Sequence, residues 1–233
     1  MKKLFILFVF FAGQLSAQNS NLSIVSGATS GGTWSPLLSS ATQTTYTFTP
    51  NADNATVSAA ELDELLRVKI SNVIIHTACA GCTQLGQIDF STTLSSYNQN
   101  SPTYNKTLTF NAASDVTVPN AISMRSTATS NTNKGSLSLV INTSGNITVT
   151  ADISMTNVRE SYASEIINEG GSVTLNSTAG AVKVTGNINC SGSTNLTNPG
   201  LYNGTGGSIT IKGPAGVSVS GTLFSTSRMY SEG

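Results

Sequence analysis

The chain has 233 residues, a mass of 24.0 kDa and a formal net charge of zero, with 9% charged and 38% hydrophobic residues. Charged residues usually make up about a quarter of a globular domain; here Ser, Thr, Asn and Gly take their place. Neutrality argues against nucleic acid, which requires a basic face to neutralise phosphates. The regular recurrence of apolar residues argues against disorder.

Residues 1–17, "MKKLFILFVFFAGQLSA", place Lys2 and Lys3 before an apolar run from Leu4 to Ala12, followed by small residues at Ser16 and Ala17. This is the pattern of a secretory signal peptide, with cleavage expected after Ala17. The apolar run is shorter than the roughly 20 residues a permanent membrane span needs. The chain is therefore expected to be secreted or held at the cell surface.

Residues 18–67 read as an N-terminal cap. "TTYTFTP" and the surroundings of Trp34 predict strands, and "SAAELDELLR" predicts a short helix near 58–67. Ser58 and Glu61 have the spacing of a capping box, and Leu62, Leu65 and Leu66 form one apolar face. A stacked-strand rod exposes apolar core and unpaired edges at its end, which such a cap would cover.

Next comes "HTACAGC", with His76, Cys79 and Cys82 at three-residue steps. A structural zinc site takes four ligands and no second cluster supplies the fourth. A redox CxxC would accompany a βαβ pattern, which is missing. Cys79 and Cys82 are read as a local disulfide or as unremarkable loop thiols, leaving Cys190 odd.

From residue 68 to 233 the chain repeats one phrase. Short strands are predicted at Val73/Ile75, Leu108/Phe110, Leu137/Leu139, Val173/Leu175 and Ile209/Ile211. Each precedes a unit of the form apolar-x-apolar-x-x-x-apolar: Ile88-Phe90-Leu94, Val116-Val118-Ile122, Ile147-Val149-Ile153, Val182-Val184-Ile188 and Val217-Val219-Leu223. These units recur at spacings of 28, 31, 35 and 35 residues. Period-two alternation marks half-buried strands, and recurrence in register marks a repeat architecture. The expected fold is all-β, a right-handed parallel β-helix (β-solenoid) behind an N-terminal strand/short-helix cap. Gly145-Asn146, Gly170-Gly171 and Ala179-Gly180 are expected to turn the corners with positive φ. Asn157–Glu169 and Gly192–Thr205 differ from coil to coil and read as loops, where binding differences would lie. The ending "YSEG" echoes "NEG" at Asn168–Gly170, where a coil begins, so the solenoid is expected to continue beyond residue 233; a bare last edge would instead self-associate.

The phrases "SAAELDELL…SNVIIHT", "GQIDF", "KTLTFNAASDVTVPNAI" and "GGSITIKGPAGVSVSGTL" resemble filamentous-haemagglutinin-type adhesins and, more broadly, the large repetitive surface proteins of Gram-negative bacteria. The resemblance covers roughly Val57 to Leu223 and implies adhesion or a structural surface role. The Asn-Pro-Asn motifs of the two-partner secretion members are missing, which puts that export route in doubt.

Parallel β-helices also host polysaccharide lyases and glycosidases. Two carboxylates about 5–10 Å apart would be required, and Asp89, Asp115 and Asp152 fall at different phases of the repeat. His76 has no nucleophile and acid at a fixed offset. No catalytic, cofactor-binding or metal-ligating residue is identified, and a carbohydrate-active enzyme is the alternative to an adhesin. Ice binding is a third reading, suggested by Thr45, Thr47 and Thr49. It is weakened by the mixed column Thr148, Lys183 and Ser218. The expected partners are host or environmental glycans or proteins. Tyr162 and Tyr202 are the contact residues chosen, because loop aromatics anchor interfaces; packing down over the coil is their bland alternative.

Overall fold

The computed structural model describes residues 18–38, 45–69, 71–98, 106–128, 136–159, 170–192 and 206–226. Four strands, β1 (Leu22–Val25), β2 (Gly32–Ser35), β3 (Thr45–Pro50) and β4 (Ala55–Ser58), precede the helix α1 (Ala59–Arg67). The repeats follow as β5 (Asn72–His76), β6 (Ile88–Phe90) and β7 (Leu94–Asn98), then β8 (Lys106–Ala112), β9 (Val116–Val118) and β10 (Ile122–Ala128). The next coil holds β11 (Leu137–Thr143), β12 (Ile147–Val149), β13 (Ile153–Ser154) and β14 (Asn157–Arg159). The last two sets are β15 (Ser172–Ser177), β16 (Val182–Val184) and β17 (Ile188–Asn189), and β18 (Ile209–Lys212), β19 (Val217–Val219) and β20 (Leu223–Phe224).

Equivalent strands pair in parallel, one coil on the next, into a β-solenoid of about four turns. The first sheet runs β2-β3-β5-β8-β11-β15-β18 and the second β4-β1-β6-β9-β12-β16-β19. In the third, β7 pairs with β10, β10 with both β13 and β14, β13 with β17, and β17 with β20. Each repeat phrase thus spans two faces. Its trailing apolar residue turns the corner and opens a third strand, so Leu94, Ile122, Ile153, Ile188 and Leu223 stand in one column. The alternating apolar residues face inward; Val73, Leu108, Leu139 and Val173 form one fully buried column and Ile75, Phe110, Ile141 and Leu175 its neighbour. Phe90 and Phe110 meet edge to face across the core, centroids 4.9 Å apart at 67°.

The corner glycines correct the expected conformation. Positive φ occurs at Gly31, Gly81, Gly86 and Gly216, and not at Gly145, Gly170, Gly171 or Gly180. These four are small because coils approach closely there: a Cβ on Gly145 would lie 2.6 Å from the Asp115 nitrogen, and one on Gly180 would fall on the Gly145 carbonyl. The segment read as a loop from Asn157 also begins as strand β14, paired with Ser126–Ala128.

The cap closes each sheet by a different device. On the first sheet β2 adds antiparallel to β3, with Trp34 edge-on to Phe48 at 5.3 Å. On the second, Ser30 bridges antiparallel to Thr56 of the edge strand β4. At the third, α1 packs over β7 and buries Leu62, Leu65 and Leu66. The chain is woven here: β1 lies between β4 and β6, so residues 18–67 are continuous with the coils. The expected capping box does not form. Ser58 is the N-cap but its side chain makes no cap hydrogen bond, and Glu61 accepts from Thr29 Oγ1 (2.6 Å) and Trp34 Nε1 (3.0 Å). A partly buried indole N–H and hydroxyl outcompete the helix's own amide for the carboxylate, joining α1 to β2.

No helix among the described residues is long and apolar enough to cross a membrane. Residues 1–17, read as a signal peptide, lie outside the described residues.

Candidate functional site

The outward side of the first sheet presents three columns in register. The central one is Thr47, Ile74, Thr109, Val140, Thr174 and Thr210, β-branched at every rung. On one side stand Thr107, Ser138 and Ser172, with Ser172 Oγ donating to Ser138 Oγ at 2.8 Å. On the other stand His76, Asn111, Asn142, Asn176 and Lys212. Their amides form a ladder: Asn142 Nδ2 donates to Asn111 Oδ1 (3.0 Å), Asn176 Nδ2 donates to Asn142 Oδ1 (3.2 Å), and the Asn111 amide lies 3.4 Å from His76 Nδ1. Between its ends at His76 and Lys212 this face is uncharged, and its rungs repeat at the strand spacing of about 4.8 Å. The second sheet differs. Its central outward column is Asp89, Thr117, Thr148, Lys183 and Ser218, mixed as the sequence implied.

At one margin of the first sheet, an open groove of about 460 Å³ is lined by Ser136, Ser138, Ser172, Ser208, Gly170, Gly206 and Gly207. Ser136, Gly170 and Gly206 are the first described residues after segments 129–135, 160–169 and 193–205. The region read as variable between coils thus joins the solenoid beside this groove. Tyr162 and Tyr202 lie outside the described residues.

The aspartates, all among the described residues, are each bonded within the fold. Asp115 Oδ1 accepts from the Asn146 backbone N–H (2.7 Å) and side chain (3.2 Å), and Asn146 Oδ1 accepts from the Ala181 N–H (2.9 Å) one coil on. Asp152, Asn187 and Thr222 repeat this chain of bonds at another corner, at 2.8, 3.1 and 2.9 Å. Each carboxylate thus starts a ladder that pairs backbone amides at a solvent-facing corner, where they have no partner within a strand. Asp89 accepts from Ser91 Oγ (2.6 Å) and from Thr117 Oγ1, and Asp53 from the Thr83 N–H and hydroxyl, both at 3.0 Å. Asp63 pairs with Arg67 at 3.0 Å on the surface of α1. The different phases of Asp115 and Asp152 in the sequence reflect different corners: one precedes β9, the other β13.

Cys79 and Cys82 are joined, with Cα atoms 5.5 Å apart. Their loop holds the N-terminal segment: Cys79 N–H donates to the Gln18 carbonyl and Gln84 N–H to that of Asn19, each at 3.0 Å. His76 sits apart from this staple in the outward amide column. Among the described residues no group of three or more His, Cys, Asp or Glu is placed to hold a metal ion.

Cys190 is a free thiol buried in the core. Burial pushes it from 9.0 up to about 11, partly offset by a backbone hydrogen bond at Val173. The fold favours the protonated thiol. Its contribution is therefore fully present below pH 9 and lost as pH rises from 9 towards 11. Between pH 8 and 10.5 the parent should lose on the order of 2 kcal/mol more stability than Cys190→Ala, read by urea unfolding at both pH values. Equal losses in the two proteins would refute this assignment.

The fold and its faces define a β-solenoid protein. Comparison with known proteins found no matching family model, curated protein or solved structure.

Proposed function

We propose that this chain is an exported, surface-displayed β-solenoid adhesin or structural surface protein, similar in kind to the filamentous-haemagglutinin-type adhesins. It binds neutral glycans or glycoproteins through repeated weak contacts. The observation that carries this reading is the uncharged, in-register face of the first sheet, with hydroxyls and amides at fixed intervals along the rod. Such a face matches the hydroxyl-rich, uncharged surface of a polysaccharide, and similar rungs at a fixed spacing raise weak affinities through effective concentration. The corner ladders of Asp115 and Asp152 support the same reading against a hydrolase, because these carboxylates serve the backbone.

The test is binding to immobilised glycans. Asp89→Asn, Asp115→Asn and Asp152→Asn are each expected to leave binding within about twofold of the parent. Thr109→Lys combined with Thr174→Lys should lower it at least tenfold by charging the face. Release of sugar that vanishes with one carboxamide substitution would overturn the adhesin in favour of a carbohydrate-active enzyme. The column of Thr47, Ile74, Thr109, Val140, Thr174 and Thr210 favours ice binding as a second reading, since alternating methyls and hydroxyls on a regular lattice order water. Inhibition of ice recrystallisation by the parent, without glycan binding, would select it.

A further inference from the structure

The amides of Asn111, Asn142 and Asn176 are spent in one direction. A carboxamide carries two donor hydrogens and two acceptor lone pairs. Asn142 donates one N–H back to Asn111 Oδ1 at 3.0 Å and accepts one from Asn176 Nδ2 at 3.2 Å. Among the described residues this leaves one N–H and one lone pair open on a side chain that is half-buried on the outward side. The next outward hydroxyls are already committed: Ser144 Oγ donates to the Ala113 carbonyl, and Thr178 Oγ1 to that of Thr143. Two residues before each asparagine stand Thr109, Val140 and Thr174, which offer methyl groups on the same three rungs. The ladder lies near the ends of β8, β11 and β15, across the sheet from the margin where segments 129–135 and 160–169 join.

We propose that an unbranched β-1,4-linked glycan with equatorial hydroxyls lies along the rod axis between this ladder and the column of Thr109, Val140 and Thr174. This rests on the glycan reading above and specifies its ligand. Sugars of this kind carry C–H groups on the flat of the ring and hydroxyls around its rim. The flat rests on the methyls, and the rim meets the amides, each of which gives one hydrogen bond and takes one. A β-1,4-linked chain is a straight ribbon that advances by close to one rung per sugar, the rungs being about 4.8 Å apart. Successive sugars therefore meet successive asparagines without bending. An α-1,4-linked chain coils instead, and leaves a straight rail after its first sugars. The outward columns of β8, β11 and β15 hold no charged residue, so a neutral chain docks without stripping water from an ion.

Calorimetric titration with cellohexaose and maltohexaose, which differ only in linkage geometry, tests this. The full chain is expected to bind cellohexaose at least tenfold more tightly than maltohexaose. It should also bind cellohexaose at least tenfold more tightly than cellobiose, because rungs engaged together add through effective concentration. Asn142→Leu, which breaks the rail at its middle, should lower cellohexaose affinity at least tenfold, and Asn176→Leu repeats the test one coil on. Ser144→Ala, which removes a hydroxyl already committed to the backbone, should leave affinity within about twofold of the parent. Circular dichroism that matches the parent shows that each variant retains its coils. Equal affinity for the two hexaoses, or unchanged binding in both asparagine variants, would overturn the proposal. A protein that holds other immobilised glycans but not cellohexaose overturns this inference alone. One that holds no glycan or glycoprotein overturns the adhesin reading with it.

Discussion

Phe110→Ala is expected to destabilise the solenoid by about 4 kcal/mol, while Thr109→Ala beside it costs less than about 1 kcal/mol. Phe110 is fully buried between Ile75 and Ile141 in its column and meets the Phe90 ring edge-on across the core. Truncation removes the transfer energy of the ring and leaves a cavity, since backbone bonds above and below prevent the coils from closing on it. Thr109 points outward, and its substitution removes little. The contrast tests register as well as stability, because a slip of one residue would exchange the two positions. Urea unfolding of both variants gives the comparison. Similar losses for the two would show that β8 is not held in this register.

Gly186→Ala is expected to cost about 3 kcal/mol, more than a single added methyl usually does. A Cβ at Gly186 would fall on the Ala151 carbonyl of the preceding coil, and Gly221 one coil on stands in the same relation to Gly186. The obstacle at Gly186 is backbone, so relief requires the two coils to move apart. That would stretch the bonds from Ile153 N–H to the Asn187 carbonyl and from Thr185 N–H to that of Val149, both now 2.8 Å. Solenoid stability is close to a sum of coil and interface terms, so the damage should concentrate at this junction. Hydrogen exchange should quicken at Ile153 and Thr185 before it does in β5 or β8. Gly27→Ala is the control: no atom lies within 4 Å of its Cβ position, and its melting should shift little. A Gly186→Ala protein as stable as Gly27→Ala would mean that the coils are not this close.

These effects explain why acids and glycines in this chain give poor functional signals. Gly145, Gly180, Asp115 and Asn146 answer to one demand, the approach of two backbones at a corner, and a free carboxylate there would be an exception. Sites open to a ligand are instead the outward columns and the serine-lined groove, whose residues carry ordinary side chains in an uncommon arrangement.

The alternation of Val, Ile and Leu with Ser, Thr and Asn, recurring as one phrase, determined from sequence alone that strands would stack in parallel and which residues would face the core. This follows because period two assigns faces and constant phrasing assigns neighbours. The helix over residues 59–67 and its leucine face were legible for the same local reason. The third sheet was not. The three residues between Phe90 and Leu94, or between Val118 and Ile122, carry no mark separating a corner from a continued strand, and only closure of the coil decides it. Nor could sequence place β1 between β4 and β6, turn Glu61 from its helix towards Trp34, or show that Gly180 is small to admit the Gly145 carbonyl. Each depends on groups some 27 to 66 residues apart in the chain, brought into contact by stacking, and no local pattern encodes that distance.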